Sequence, residues 1–150
     1  MFTIKKELYN ACIEFVSKRE DTIHQIITSN QHALTSETKS SAGDKHETGR
    51  AMLQIEMEKA SQQLEGIYQM KIVLAKIRFE ETSEIIRLGS LVLTDQANYF
   101  LAISAGQIII PDNCYYAISP SSPIGKLLLG KKAGDEFVFN CKTVAIQKLY

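Results

Sequence analysis

The chain has 150 residues, of which 45% are hydrophobic, and it carries 17 basic and 17 acidic residues. This length and hydrophobic content allow one or two small domains with a proper core, so neither disorder nor a disulfide-stapled miniprotein is needed to explain the chain. The balanced charge excludes long-range steering towards nucleic acid or an anionic membrane. Three scattered cysteines, Cys12, Cys114 and Cys141, favour buried, reduced thiols over a disulfide framework.

The N-terminal residues 1–10 contain no apolar signal region, and no later stretch approaches the roughly 20 apolar residues of a membrane span. We therefore expect a cytoplasmic protein without a membrane partner. No pattern in the chain points to a small-molecule substrate.

Two stripes of apolar residues at helical spacing occupy the first half of the chain. The first consists of Leu8, Cys12, Phe15, Ile23, Ile26, Ile27 and Leu34. The second steps by 4, 3, 4 and 3, as in a coiled coil, and consists of Leu53, Met57, Ala60, Leu64 and Ile67, continuing through Met70, Leu74 and Ile77. The small, polar residues at about 39–49 have turn composition. Residues 1–78 are thus predicted to form an antiparallel coiled-coil helical hairpin, with helices on the order of 45 Å long.

The second half changes to short β-branched and aromatic runs, which predict strands. These runs lie at 91–93, 99–103, 108–110, 115–118, 137–139 and 143–146, with turns at 95–98, 105–107 and 111–113. One short helix is predicted between them, with Ser122 as N-cap, Pro123 in the first position, a buried face at Leu127 to Leu129, and Gly130 at its end. The predicted class is α+β, with a linker at 79–88 and a β-rich domain at 89–150.

Two acidic residues stand at the tip of the predicted hairpin, Asp44 and Glu47, at i and i+3. Their carboxylates have the chemistry of an incomplete Mg²⁺ site that a partner would complete. The same spacing is typical of a capping box, and the spacing alone favours the cap. His46 adds no zinc site, because no second ligand stands at zinc spacing.

The second half offers no self-contained active site. Gly125-x4-Gly130-Lys131 resembles a phosphate-binding loop only superficially, since Lys132 replaces the required Ser or Thr and the intervening residues are apolar helix. Lys126, Lys131 and Lys132 form a basic group that is typical either of a solvated face or of a local docking patch. We therefore expect a protein that acts on a macromolecule and is not itself an enzyme.

Residues 117–136, AISPSSPIGKLLLGKKAGDE, resemble the C-terminal signature of the Gre family of bacterial transcript cleavage factors, I-S-x-x-S-P-I-G-x-A-L-L-G-K-x-x-G-D. This resemblance implies an FKBP-like fold for residues 89–150 and docking beside the secondary channel of RNA polymerase. The residues that it implies for partner binding are Ser122, Pro123, Ile124, Gly125, Lys126, Lys131 and Lys132.

The tip sequence Gly43-Asp44-x-x-Glu47 also looks like the Gre tip G-D-x-x-E. The resemblance implies that Asp44 and Glu47 assist the polymerase active centre at the nascent RNA 3′ end, by helping to hold a second Mg²⁺ shared with the polymerase. No cofactor is then stably bound to the chain alone.

The chain departs from the family after Glu47. Gre factors continue N-A-E-Y, whereas this chain has Thr48, Gly49, Arg50 and Ala51. A channel-binding regulator that does not promote cleavage is the first alternative. A prolyl isomerase or chaperone built on an FKBP-like domain is the second, and it rests on fold alone.

Overall fold

A computed structural model describes residues 1–39 and 43–150, with side chains described for 1–36 and 48–150. In this part of the chain the helices are α1 (Phe2–Lys39), α2 (Gly43–Ala75) and α3 (Pro123–Leu128). The strands are β1 (Leu91–Thr94), β2 (Asn98–Leu101), β3 (Gly106–Ile110), β4 (Asn113–Ile118), β5 (Glu136–Phe139) and β6 (Lys142–Leu149). The α+β class is confirmed, because a long helical region precedes a six-stranded sheet. Over the described residues, no helix has the apolar length that crossing a bilayer requires.

The predicted apolar stripe of α1 is largely confirmed, with two corrections. Leu8, Cys12 and Ile23 are buried, but Ile26 is 40% exposed. The buried stripe passes instead through Val16, because steps of three and four residues from Cys12 to Ile23 need a member there. The helix begins at Phe2, within the predicted range 1–78.

The predicted stripe of α2 is confirmed along its whole length. Ala60, Ile67 and Leu74 are buried, as is Ile77 just beyond the helix. The other four members are partly buried, namely Leu53, Met57, Leu64 and Met70. Steps of three and four residues keep this stripe on one side of the helix.

The chain divides into two compact units. The helical unit comprises Val16–Lys71, and the sheet unit comprises Met1–Phe15 together with Ile72–Tyr150. Within the helical unit Glu20 of α1 forms an ion pair with Lys71 of α2. Within the sheet unit the Tyr9 hydroxyl donates to the carbonyl of Leu74 at 3.2 Å, so the first turns of α1 run beside the last turn of α2.

The strand order of the sheet is β3-β4-β2-β1-β6-β5. β2 and β4 are parallel, and the other neighbours are antiparallel. Asn140 and Cys141 connect β5 to β6 with φ of 50° and 63°, the backbone of a tight type I′ hairpin turn. Cys141 is exposed there, which corrects the expectation of a buried thiol, since a two-residue turn projects its side chains away from the core.

One face of the sheet packs with α3 around a hydrophobic core. Its buried members are Ile86, Val92, Leu101, Ile124, Leu128, Phe137, Val144 and Ile146. Strand side chains alternate between faces, so Leu91 and Phe100, both fully buried, lie on the opposite face. Leu8 and Cys12 on the first turns of α1 are fully buried.

Candidate functional site

The N-terminus of α3 is fixed by the loop that precedes it. The Ser122 hydroxyl accepts a hydrogen bond from the Gly125 N–H at 3.1 Å and donates to the Ser119 carbonyl at 2.5 Å. Ser119 and Ser121 join their hydroxyls at 2.9 Å. The predicted N-cap at Ser122 and the predicted first helical position at Pro123 are confirmed.

Gly125 is required by a close approach between α3 and this loop. A Cβ built on Gly125 would lie 2.1 Å from the Ser119 carbonyl oxygen, a distance that real Cβ atoms do not show. The glycine therefore permits the Ser119–Ser122–Gly125 hydrogen bonds to form. Its role is to shape the segment, and it is buried.

The buried face of α3 differs from the prediction. Ile124 and Leu128 are buried, whereas Leu127 and Leu129 are 37% and 41% exposed. A helix places residues i and i+4 on one side, so Ile124 and Leu128 share the face towards the sheet and consecutive leucines do not. The exposed leucines add apolar surface near the basic residues.

The end of α3 is tied to two other parts of the sheet unit. Gly130, with φ of 82°, donates from its N–H to the Ile86 carbonyl at 3.0 Å, and the Ile86 N–H donates to the Lys131 carbonyl at 2.8 Å. Asp135 accepts from the Lys132 N–H at 2.8 Å through its carboxylate. The backbone of Asp135 also accepts from Ile146 N–H at 2.9 Å. These bonds hold the backbone that carries the lysines.

We call five residues of this segment, whose side chains make none of these bonds, the α3 surface: Pro123, Lys126, Leu127, Lys131 and Lys132. Lys131 is partly buried and the other four are exposed. Of the residues implied for partner binding, Ile124 and Gly125 are buried and Ser122 is engaged as a cap. The α3 surface therefore combines two apolar side chains with three positive charges, a chemistry suited to an acidic protein surface with apolar contacts.

The tip acids lie outside the residues whose side chains are described. The backbone of Asp44 and Glu47 belongs to the first turn of α2, which begins at Gly43. Both the Mg²⁺ interpretation and the capping interpretation stay predictions. Just beyond them, Thr48 and Arg50 are exposed. Among the described side chains, no three His, Cys, Asp or Glu residues are grouped so that they could hold a metal ion.

Two buried polar residues on the stripe of α1 were missed by the reading of the sequence. Asn30 is 8% exposed, and its Nδ2 has no hydrogen-bond partner among the described residues. Lys5 is 4% exposed, and burial, followed by the nearby charge of Arg87, lowers its pKa. A heptad count could have found Asn30, because it follows the buried Ile23 by seven residues.

Comparison of the chain with protein-family models and with curated proteins finds no match. Function must therefore be inferred from the chain's own residues. Two features of the chain bear on its function: the resemblance of residues 117–136 to the Gre signature and the arrangement of the α3 surface.

Proposed function

We propose that this chain is a Gre-like transcription elongation factor, which binds beside the secondary channel of RNA polymerase and stimulates cleavage of backtracked transcripts. The observation that carries the proposal is the signature-like segment 117–136, in which some residues fix the backbone and others expose their side chains. Ser122, Gly125 and Asp135 hold the backbone, while the side chains of Pro123 and Lys126 are exposed. Exposed residues that the fold does not need are candidates for recognition.

The α3 surface is the docking element in this proposal. Three lysines would face carboxylates on the polymerase, and Pro123 and Leu127 would supply apolar contact at the centre. Charges of this kind increase the rate of encounter, and apolar anchors contribute more to the lifetime of a complex. In the finer form of the proposal, the sheet unit is an FKBP-like domain.

The long helices would deliver the tip to the polymerase active centre. α1 has 38 residues and α2 has 33, which correspond to about 57 Å and about 50 Å. In the finer form of the proposal they make an antiparallel coiled-coil hairpin, supported by the regular stripe of α2 and by the Glu20–Lys71 ion pair.

Asp44 and Glu47 would act at the far end of this hairpin, close to the nascent RNA 3′ end. Each would contribute carboxylate oxygens to a Mg²⁺ that is shared with the polymerase. Such an ion, when bound, activates water for hydrolysis of the RNA phosphodiester. The chain is then an accessory to the nuclease activity of the polymerase.

A non-cleaving regulator of the same channel is a second candidate, favoured by one observation. Arg50, three residues after Glu47, is exposed, and the family pattern has no basic residue there. A positive charge close to the acids would weaken their hold on a cation. Channel binding and cleavage must therefore be measured separately.

The test uses RNA polymerase from the organism that encodes this chain, stalled in a backtracked elongation complex. Wild type is expected to bind the polymerase and to shorten the transcript. Asp44→Asn with Glu47→Gln should bind as wild type and lose cleavage by at least about 100-fold, because neutral amides keep the shape of the acids but lose the attraction for Mg²⁺.

Lys126→Glu with Lys132→Glu should weaken polymerase binding by at least about 10-fold, since it reverses charge on the α3 surface. Lys142→Glu with Lys148→Glu is the matched control, because both lysines are exposed on β6 and lie outside the α3 surface. Failure of wild type to bind polymerase would refute the proposal. Binding by wild type without any cleavage would identify the regulator.

A further inference from the structure

Strand β3 forms one edge of the sheet, and it pairs on one side only, with β4, in the described part of the chain. Its middle residues carry exposed apolar surface. Ile109 is 76% exposed, the highest value of any large hydrophobic residue among the described side chains. An exposed, apolar edge strand is a template for pairing with a further strand.

The hydrogen bonds of β4 show which backbone groups of β3 face β4. The Ile118 carbonyl, at the end of β4, accepts from the Ala102 N–H at 2.8 Å, on the side where β2 lies. Successive residues of a strand direct their backbone groups to opposite neighbours, so Tyr115 directs its groups to β3. Tyr115 is the partner of Ile108, and these two residues are therefore a hydrogen-bonded pair.

Gln107 and Ile109 lie on either side of Ile108, and by the same alternation their N–H and C=O groups face away from the sheet. Both residues are exposed. The outer side of β3 thus offers backbone donors and acceptors in the spacing that an extended strand matches.

The sequence around β3 lacks the charges that protect edge strands. Residues 96–111 contain no Asp, Glu, Lys or Arg. The strand at the opposite edge, β5, begins with the exposed Glu136, whose charge discourages pairing. An occupant that fits the β3 edge is therefore an exposed, uncharged and apolar strand. The β3 strand of a second copy of this chain has each of these properties.

We propose that two copies of this chain associate through β3, with the two strands antiparallel about a two-fold axis at Ile108. In this register Gln107 of each copy lies opposite Ile109 of the other, so the outward backbone groups of both residues are hydrogen-bonded. A register shifted towards the turn would place Gln107 opposite Pro111, which has no N–H to donate.

The side chains are also compatible with this pairing. Ile109 shares a face with Gln107 of the other copy, and Ile108 meets its own counterpart at the axis. No like charges meet, because the strand has none. The association stops at two copies, since both β3 edges are then used. This proposal does not depend on polymerase binding.

Sedimentation velocity of the full chain tests the association. A pair of five-residue strands buries less than the roughly 1,200 Å² of a standard interface, so the dimer should be weak and reversible. From about 1 to about 500 μM, wild type is expected to convert from monomer to dimer. Ile109→Lys should weaken this association at least about 10-fold, because it places two lysines near each other at the contact.

Val138→Lys is the matched control. Val138 is 63% exposed on β5, the other edge strand, so the same substitution is made at a comparable position that the proposed contact does not include. This variant should dimerise as wild type. Both variants should keep the melting temperature of the dilute wild type, since both side chains are exposed.

Hydrogen exchange measured by NMR tests the register. On raising the concentration, the Gln107 and Ile109 amides should exchange at least about 5-fold more slowly, because they become bonded only in the dimer. The amides of Ile108 and Ile110 should change much less, since they already face β4.

Cysteine substitutions test the position of the axis, in a background of Cys114→Ser with Cys141→Ser. Ile108→Cys should form a disulfide-linked dimer under mild oxidation, because a non-hydrogen-bonded pair brings its Cα atoms to about 4.5 Å. Ile110→Cys, on the same face, should not, since it lies opposite Gly106 of the other copy.

Three outcomes would overturn the proposal. A wild type that stays monomeric up to about 500 μM would leave this edge to a strand of another protein. Association unchanged by Ile109→Lys would place the contact elsewhere. Equal crosslinking of the two cysteine variants would exclude the axis at Ile108.

Discussion

Cys12 shows how burial controls the chemistry of a single side chain in this protein. Its side chain is fully buried, and burial raises the pKa of the thiol from 9.0 to about 11, although a hydrogen bond with the Ile103 backbone acts in the opposite direction. The folded thiol therefore stays protonated at a pH where the unfolded thiol has ionised. The unfolded state then binds fewer protons, so the free energy of unfolding falls as pH rises from about 9 towards 11.

We expect this loss to depend on Cys12 itself. Between pH 8 and pH 10.5, the free energy of unfolding of wild type should fall by about 2 kcal/mol more than that of Cys12→Ala, as measured by urea denaturation. Cys12→Ala serves as the reference because the two proteins share every other ionisable group. Parallel pH profiles for the two proteins would show that Cys12 does not ionise on unfolding in this range.

At the scale of elements, replacing a helical glycine by alanine should destabilise the protein at one position and stabilise it at another. Gly125→Ala places a methyl group against the Ser119 carbonyl oxygen, where the ideal Cβ lies at 2.1 Å, so α3 must shift away from its loop. We expect a loss of about 2–4 kcal/mol, as for other severe steric and hydrogen-bond defects. Gly66→Ala meets nothing within 4 Å and should stabilise α2 by about 0.5–1 kcal/mol.

Urea denaturation of both alanine variants beside wild type measures these changes. Because the substitution is the same in both, the comparison removes the general effect of adding a methyl group to a helix. A stable Gly125→Ala variant would mean that α3 does not need its close approach to Ser119.

At the scale of the whole molecule, the sheet unit is assembled from two stretches, Met1–Phe15 and Ile72–Tyr150. A fragment of residues 89–150 lacks Ile86, which is buried in the core and shares two backbone hydrogen bonds with Gly130 and Lys131. Removing a buried isoleucine side chain alone costs about 2–5 kcal/mol, so we expect this fragment to lose cooperative thermal unfolding.

A matched chain that keeps both stretches should unfold cooperatively. In it, a short Gly/Ser linker replaces Val16–Lys71, and the Tyr9–Leu74 hydrogen bond can still form. Near-ultraviolet circular dichroism during heating distinguishes the two. Equal melting temperatures for the fragment and the linked chain would show that the first half of the chain contributes nothing to the sheet unit.

Local features of this fold could be predicted from the sequence because each depends on neighbours in the chain. The stripe from Leu53 to Ile77 follows from helical periodicity alone, and the Ser122 cap with Pro123 behind it needs only the backbone of the next turn. The six strands were recognisable from β-branched and aromatic runs. The face of α3 was predicted wrongly, since three consecutive leucines do not show which of them meets the sheet.

Other features of the fold were decided only by the tertiary structure, because they depend on which distant segments of the chain meet. Three such features are the parallel pairing of β2 with β4, the position of Ile86 in the core and the close approach of Gly125 to Ser119. Each brings together residues whose contact cannot be predicted from a local repeat in the sequence. The sequence by itself determined the helices, the strands and the residues that resemble a known signature. Packing decided which of those residues are buried and which are exposed, since burial depends on contacts from the rest of the chain.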